Sequence, residues 1–345
     1  MTIATVNVGS STFKYAFFDD QLVSTDSGEV TDFAHFNKLV TGLPTPVTTF
    51  GHRLVHGGNR YFEPTEISQT VLDDLESFSK LAPLHNPPAL AVIRQCIDTY
   101  KDTPNWAVFD TGFYKDLPSY ARLYPLPVDL DPLIQHYGFH GTSHQYVAEE
   151  AASQLKRPLT DLKLITVHLG AGCSITAIEE GRPIDTSMGF TPLEGLMMAT
   201  RSGSIDPAII FYLIRERKMD LEQVEILLNK ESGLLGVSGL SADPRVIISA
   251  SQKVSPRASE AERQASARAG LALQMYAYRV RKYIGSYFVA LGGLDALVFT
   301  GKVGENSPLI REMITNGLEV LGKFPVLIIP TNEALAIARQ VKARL

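Results

Sequence analysis

Val6-Asn7-Val8-Gly9-Ser10-Ser11-Thr12 and Val167-His168-Leu169-Gly170-Ala171-Gly172-Cys173 carry one kind of turn twice, 161 positions apart (6 to 167). Each turn lies between two strand-like runs: Ile3 to Val6 then Phe13 to Phe18, and Leu164 to Val167 then Ser174 to Ile178. Each second run ends at an acidic turn, Asp19-Asp20 or Glu179-Glu180-Gly181. A small, glycine-containing tip lets backbone N–H groups approach a phosphate closely. Met once, such a hairpin reads as an ordinary turn. Met twice in one frame, it predicts two related domains, each with an anion-binding tip.

Composition agrees with two domains. The chain has 345 residues, more than one ordinary domain, with 45% hydrophobic and 20% charged residues. The net charge is −5 and there is no basic block, which argues against a nucleic-acid surface. The two cysteines, Cys96 and Cys173, make neither a disulfide framework nor a metal spacing, as in a reducing cytosol. No apolar run approaches the length of a membrane span, and the first residues enter a strand pattern without a basic-then-apolar leader, so a cytoplasmic protein with no membrane partner is expected.

Periodicity predicts helices over Thr70 to Leu81 and Pro88 to Tyr100, then a strand at Ala107-Val108-Phe109 ending in Asp110. An acid at the C-terminal end of a strand is a frequent active-site placement in α/β folds. Residues 21–50 read as a mixed polar stretch closing on Gly42-Leu43-Pro44-Thr45-Pro46, and Leu117 to Leu126 as irregular; the domain crossing is expected near 111–115. In the second half, helices are expected from Asp206-Pro207 to about Arg217, from Asp220 to about Leu228, and from Ser259 to Leu291. In the last of these, Leu273, Tyr276, Val280, Ile284, Phe288 and Leu291 are spaced as a buried face. A strand, Leu297 to Thr300, feeds a glycine loop, Gly301-Lys302-Val303-Gly304-Glu305-Asn306. Ser307-Pro308 then reads as an N-cap and first helical position, an anion-binding geometry.

Five polar clusters fall in loop-like contexts: Gly51 to Gly58, Leu84 to Pro88, Tyr137 to His144, Asp185 to Pro192, and Ala199 to Asp206. With His168 they hold six of the eight histidines. His140 and His144 are four apart, but Gly138 and Gly141 argue for a loop and no His-Glu-x-x-His pattern exists, so zinc is disfavoured. A hydrolase elbow of the Gly-x-Ser-x-Gly type is missing. Arg53 and Arg201 sit among small residues, where a guanidinium can fork onto phosphate or carboxylate oxygens; a surface ion pair explains either one alone equally well.

Asn7-x-Gly9-Ser10-Ser11-x-x-Lys14, His52-Arg53, Leu84-His85-Asn86-Pro87, Phe109-Asp110-Thr111, Tyr137 to His144 and Asp185 to Pro207 together resemble the acetate kinase family. The resemblance spans almost the whole chain and keeps motif order. It implies an α/β fold of two duplicated actin/ribonuclease-H-like domains with a central cleft. The first domain would be residues 1–113 plus 331–345, and the second, with the nucleotide side and a homodimer interface, residues 114–330. It implies Mg²⁺- (or Mn²⁺-) dependent, in-line phosphoryl transfer between ATP and acetate, giving acetyl phosphate and ADP. Arg53 would orient the carboxylate, Arg201 would bind it and the transferring phosphoryl group, and His140, supported by His85, would donate to a phosphoryl oxygen. Asn7, Asp110 and Glu333 would hold the metal. Val55, Leu84, Phe139 and Pro192 would form a small acyl pocket favouring acetate over propionate and disfavouring butyrate. Ser10, Thr12, Lys14, His168, Leu169, Gly170, Ala171 and Gly172 would line the phosphates. Asp243, Pro244, Arg245 and Lys302, Val303, Gly304, Glu305, Asn306 would line the adenosine.

The nucleotide side departs from the family pattern. Ala171 replaces an Asn, removing a phosphate donor. Lys302 replaces a Gly that lets the backbone lie against adenosine. These changes raise two alternatives: a kinase using pyrophosphate or phosphate in place of ATP/ADP, and a non-catalytic ligand-binding relative. Retention of Asn7, Arg53, Asp110, His140, Arg201 and Glu333 opposes the second. The segments 15–50 and 307–329 are shorter than usual, and Lys253 to Arg263 reads as an insertion.

Overall fold

The computed structural model describes residues 1–9, 12–83, 85–127, 129–252 and 258–345. Ser10, Leu84 and the first part of the expected insertion (253–257) lie outside them. The chain forms two compact units: Met1–Asp116, Leu126–Tyr146 and Asn332–Leu345 make one, and Leu117–Pro125 with Val147–Thr331 make the other. A division at 113/114 would put Tyr137 to His144 in the second domain, whereas the compact units keep them in the first.

In chain order the first stretch runs β1 (Ile3–Val8), β2 (Phe13–Phe18), β3 (Ser24–Val30), α1 (Phe33–Thr41), β4 (Thr49–Leu54), β5 (Thr65–Glu66), α2 (Gln69–Ser77), a 3-10 turn (Phe78–Leu81), α3 (Asn86–Thr99) and β6 (Asn105–Phe109). Next come α4 (Ser119–Arg122), α5 (Gly141–Leu155), β7 (Lys163–Leu169), β8 (Cys173–Glu179), β9 (Arg182–Thr186), α6 (Ala208–Arg215), α7 (Leu221–Lys230), α8 (Gly233–Ser238), α9 (Pro244–Gln252) and α10 (Glu260–Leu291). The chain ends with β10 (Ala296–Thr300), α11 (Gly301–Asn306), α12 (Pro308–Thr315), β11 (Val326–Ile328) and α13 (Glu333–Lys342).

The duplication extends beyond the hairpins. The first sheet has the order β3-β2-β1-β4-β6-β5 and the second β11-β10-β7-β8-β9. In each, three antiparallel strands (β1-β2-β3, β7-β8-β9) are followed by two added in parallel beside the first (β4-β6, β10-β11). This is the repeated actin/ribonuclease-H-like arrangement. The tips differ by one residue: Val8 pairs Phe13 across residues 9–12, whereas Leu169 pairs Cys173 across residues 170–172.

Strand alternation divides the first unit's core between two faces. Ala4, Val6, Phe13 and Phe17 pack with Phe36 and Val40 of α1 and Cys96 of α3. Ile3, Ala16 and Phe18 point the other way, onto Ala338 of α13, with Val108 packing on Ile337 and Val341. In the second unit α10 lies against β7 and β8. Its N-terminus is set by a capping box between Ser259 and Glu262, and its C-terminus by Gly292 in the left-handed conformation. Leu273, Tyr276, Val280, Ile284 and Leu291 are buried as expected, but Tyr287 takes the place assigned to Phe288, which is only half-buried.

Several local expectations are corrected. Residues 21–50, read as a mixed polar stretch, hold regular structure up to Thr41. They form β3, an edge strand whose side chains are mostly exposed, and α1, capped by Asp32 accepting from the His35 N–H. Gly51 to Leu54 is strand, not loop. A Cβ at Gly51 would lie 2.8 Å from Ile337 Cγ2, so the glycine admits α13 against the sheet. Gly141 likewise opens a helix: its missing Cβ would stand 2.1 Å from the Asp110 carbonyl oxygen. The expected glycine loop at 301–306 is the short helix α11. Ser307 does cap the helix that follows, accepting from the Ile310 N–H.

Candidate functional site

The first unit gathers four of the predicted residues into one network. Arg53 comes from the end of β4 and Asp110 directly follows β6, its parallel neighbour. Register alone therefore brings them together. Arg53 Nε donates to Asp110 Oδ1 at 2.9 Å and Nη2 to Oδ2 at 2.5 Å, a two-pronged pair. Arg53 Nη1 donates to Asn7 Oδ1 at 3.0 Å and lies 3.8 Å from Glu333 Oε2. Asn7 Nδ2 donates to the same Glu333 oxygen at 2.9 Å. Burial alone would depress the Arg53 pKa, but Asp110 and Glu333 carry it above its ordinary value, so the guanidinium is permanently charged. Arg53 thus faces two carboxylates, Asp110 and Glu333. Arg53 uses three of its five N–H groups in these bonds and keeps two.

Thr142, inside a quoted cluster but given no role from the sequence, donates its hydroxyl to Asp110 Oδ1 at 3.2 Å. The Asp110 carbonyl accepts the Gly141 N–H at 3.0 Å, which fixes the entry to α5 beside the acid. His140 immediately precedes it with φ of 57°, a conformation a non-glycine residue seldom adopts. Phe139 is buried, and its carbonyl accepts from the Tyr114 hydroxyl at 3.0 Å. Val55 follows β4 and is half-buried. His85 precedes α3, whose first residue, Asn86, binds the backbone N–H and C=O of His56. The predicted phosphate residues Thr12 and Lys14 lie in and beside β2. The Thr12 hydroxyl donates to Glu29 of β3, and Lys14, exposed, pairs with Asn7 in the ladder. Glu29 had no sequence signal, because β3 itself was unread.

Two histidines of the clusters belong to the core. His52 Nε2 lies 2.8 Å from Asn105 Oδ1, and burial pushes its pKa down to about 4. Burial does the same for His56, also to about 4. His56 packs edge-on against Tyr137 and Phe139.

The second unit holds the other predicted residues. Gly301, at φ of 78°, sits where any Cβ would meet the Leu169 carbonyl oxygen at 2.6 Å. That close approach joins the start of α11 to the tip of the β7–β8 hairpin, bringing 301–306 beside His168 to Gly172. The Gly170 N–H donates to the Gly172 carbonyl at 3.0 Å, and the Ala171 carbonyl accepts from Ala199 N at 3.2 Å. Glu305 turns its carboxylate onto the protein: Oε1 accepts from Gly301 N at 2.8 Å and Thr331 N at 3.2 Å. Lys302 is exposed, and its carbonyl accepts from Asn306 Nδ2 at 2.9 Å. Asp243 and Arg245 form an exposed pair around Pro244, with no hydrogen bond to α11 or to the hairpin among the described residues.

Arg201 is the electrostatic opposite of Arg53. It is half-buried, and Nη1 donates to the Pro192 carbonyl at 2.7 Å. No acidic side chain pairs with it among the described residues, and burial pulls its pKa below the usual value. A desolvated cation without a counter-ion is costly unless an anion completes it.

The described residues contain no helix long and apolar enough to cross a membrane. A model of the acetokinase family matches residues 32–324. Acetate kinase of Caldicellulosiruptor saccharolyticus is 45% identical over 322 residues, 86% of this chain and 78% of that protein. The crystal structure of Porphyromonas gingivalis acetate kinase superposes with a TM-score of 0.87 at 32% identity, covering 99% of each chain. A propionate kinase from Francisella tularensis superposes with a TM-score of 0.89 at 33% identity over 98% of each.

Proposed function

The chain belongs to the acetokinase family, and from that premise we propose that it catalyses reversible, Mg²⁺-dependent phosphoryl transfer between ATP and acetate, giving acetyl phosphate and ADP. One observation carries the reading: the two key arginines are electrostatically opposite. Among the described residues Arg201 pairs with no acidic side chain, whereas Arg53 pairs with both Asp110 and Glu333. Acetate is ionised at neutral pH and needs no general base. The barrier is the approach of an anionic nucleophile to an anionic phosphoryl group, which positioned cations and donors lower.

Arg201 is assigned to the acetate carboxylate and the transferring phosphoryl group. Arg53 orients the carboxylate with its two uncommitted N–H groups. His140 donates to an equatorial phosphoryl oxygen, with His85 in support. Asn7, Asp110 and Glu333 offer oxygens only, and Mg²⁺ binds through one or two carboxylates while keeping several waters, so the set fits that ion. Both Asp110 oxygens already accept from Arg53, which favours contact through water. When bound, the metal neutralises charge on the phosphates. Ser10, Thr12, Lys14 and the hairpin from His168 to Gly172 are assigned to the phosphates. Asp243, Pro244, Arg245 and Lys302 to Asn306 are assigned to the nucleoside. An exposed Lys302 leaves no reason to prefer pyrophosphate as donor. The test is acetyl phosphate trapped by hydroxylamine, with ATP and with pyrophosphate in separate reactions. Turnover with ATP is expected, and folded protein inactive with ATP would overturn the reading.

Val55, Leu84, Phe139 and Pro192 are assigned to the methyl group. Solved relatives include both an acetate and a propionate kinase, so the choice rests on these residues. One methylene is worth about 1–3 kcal/mol. Propionate should therefore show a kcat/KM at least about tenfold below acetate; equal values would remove the pocket assignment.

We assign a homodimer, joined through the second unit. Helix α6 supports this: it has no buried residue, yet it exposes Ile209, Phe211 and Tyr212. Sedimentation velocity should give the dimer mass, and Phe211→Glu with Tyr212→Glu should give the monomer mass; a dimer that survives both changes would place the interface elsewhere. The same reading places the enzyme in the cytoplasm, where ATP is supplied and the free thiols Cys96 and Cys173 stay reduced; cell fractionation checks this.

A further inference from the structure

Val55 stands between two anchors. On one side the Leu54 carbonyl, at the end of β4, accepts the Asp110 N–H at 2.9 Å. On the other side His56 has left the strand, and the side chain of Asn86 grips its peptide groups. Asn86, the first residue of α3, accepts the His56 N–H on Oδ1 at 3.2 Å and donates from Nδ2 to the His56 carbonyl at 2.8 Å. Both residues are fully buried. The His56 ring carries the grip further. Its Nδ1 accepts the Gly58 N–H at 2.9 Å, whereas Nε2 has no hydrogen-bond partner among the described residues. The ring instead packs edge-on against Tyr137 and Phe139, with centroids 4.2 Å and 5.8 Å away. Phe139 is also held independently. Its carbonyl accepts from the Tyr114 hydroxyl at 3.0 Å, and a Cβ at Gly138 would lie 2.3 Å from the Tyr114 ring. All these residues belong to the first unit.

We propose that Asn86 is a specificity-determining positioning residue: by gripping His56 it sets the separation of Val55 and Phe139, and with it the size of acyl group the pocket admits. The claim rests on the assignment of Val55 and Phe139 to the acyl group. Backbone groups buried without a partner are costly, so a chain that loses the Asn86 amide shifts His56 toward other partners and takes Val55 with it. Phe139 does not follow, because Tyr114 holds its backbone. Interiors close only partly around a lost group, so the gap widens.

The test measures kcat/KM for acetate and for propionate, with ATP and Mg²⁺, in the parent, Asn86→Ala, His56→Ala and His56→Phe. Asn86→Ala removes the grip, and His56→Ala removes the ring against which Phe139 packs. Each should lower the acetate-to-propionate ratio by about fivefold or more, most of the discrimination that one methylene gives. His56→Phe keeps a ring of similar shape and should hold the ratio within about twofold of the parent. A merely structural clamp would slow both acids alike and leave the ratio where it was. A smaller shift in either alanine variant, or a His56→Phe ratio as low as that of His56→Ala, would overturn the proposal. Where one alanine variant fails to fold, the other decides; failure of both would show that the clamp serves the fold and not the pocket, and overturn it too. A parent active on acetate whose variants keep its preference sinks this proposal alone. A parent inactive with both acids would sink the kinase reading, and this proposal with it.

Discussion

Arg201→Met is expected to lower kcat/KM for acetate by about 10³-fold or more, the scale at which a charge-stabilising arginine acts in phosphoryl transfer. The same change should leave thermal stability unaltered or raise it. Among the described residues Arg201 has no acidic partner to strand, and its half-buried charge is a cost that the folded chain bears without a ligand. A long apolar side chain removes that cost while filling the space. Arg201→Lys should recover little, because a point charge cannot fork onto two oxygens. The combination is diagnostic: an arginine kept for structure would cost stability and spare activity. Steady-state kinetics and thermal melts on one preparation separate the cases. A marked loss of melting temperature with activity within about tenfold of the parent would refute the assignment.

Asp110→Ala should behave differently, losing activity and stability together. Asp110 is almost fully buried and receives three hydrogen bonds, two from Arg53 and one from Thr142. Its removal leaves Arg53 in a low-dielectric site with Glu333, 3.8 Å from Nη1, as its remaining acid. Breaking one side of a buried pair costs about 3–5 kcal/mol. Replacing both partners, Arg53→Met with Asp110→Leu, should restore part of that stability and none of the activity. Denaturant titration of the two variants checks the first half, and the acetyl phosphate assay checks the second. A double variant no more stable than Asp110→Ala would mean that the pair is not what stabilises this region.

The contrast between the arginines could not be read from the sequence. Both stand in polar clusters among small residues, and the motif alone gives each a substrate-facing role. Only the parallel register of β4 and β6 shows that Arg53 is gripped by Asp110, while Arg201 donates to a carbonyl and, among the described residues, pairs with no acid. The duplicated hairpin was legible because alternation and a glycine tip are local signals that recur. The edge strand β3 was not. It pairs on one side only and exposes most of its side chains, so no alternation marks it. Glu29, which takes the Thr12 hydroxyl, was lost with it. Gly51, Gly141 and Gly301 misled for one shared reason. Each reads as loop punctuation, yet each marks a place where another segment passes too close for a Cβ: methyl groups of α13, the Asp110 carbonyl, the Leu169 carbonyl. Glu305, assigned to the nucleotide side, also ties Gly301 to Thr331 by accepting from their backbone N–H groups, bonds that no spacing rule contains.

In the reaction proposed for this chain a phosphoryl group passes from ATP to the carboxylate of acetate. Phosphorus NMR of the protein mixed with ATP, Mg²⁺ and acetate follows it directly. Acetyl phosphate and ADP should grow in equal amounts, with neither formed when acetate is omitted. ADP appearing with inorganic phosphate in place of acetyl phosphate, or an unchanged ATP spectrum from folded protein, would contradict it.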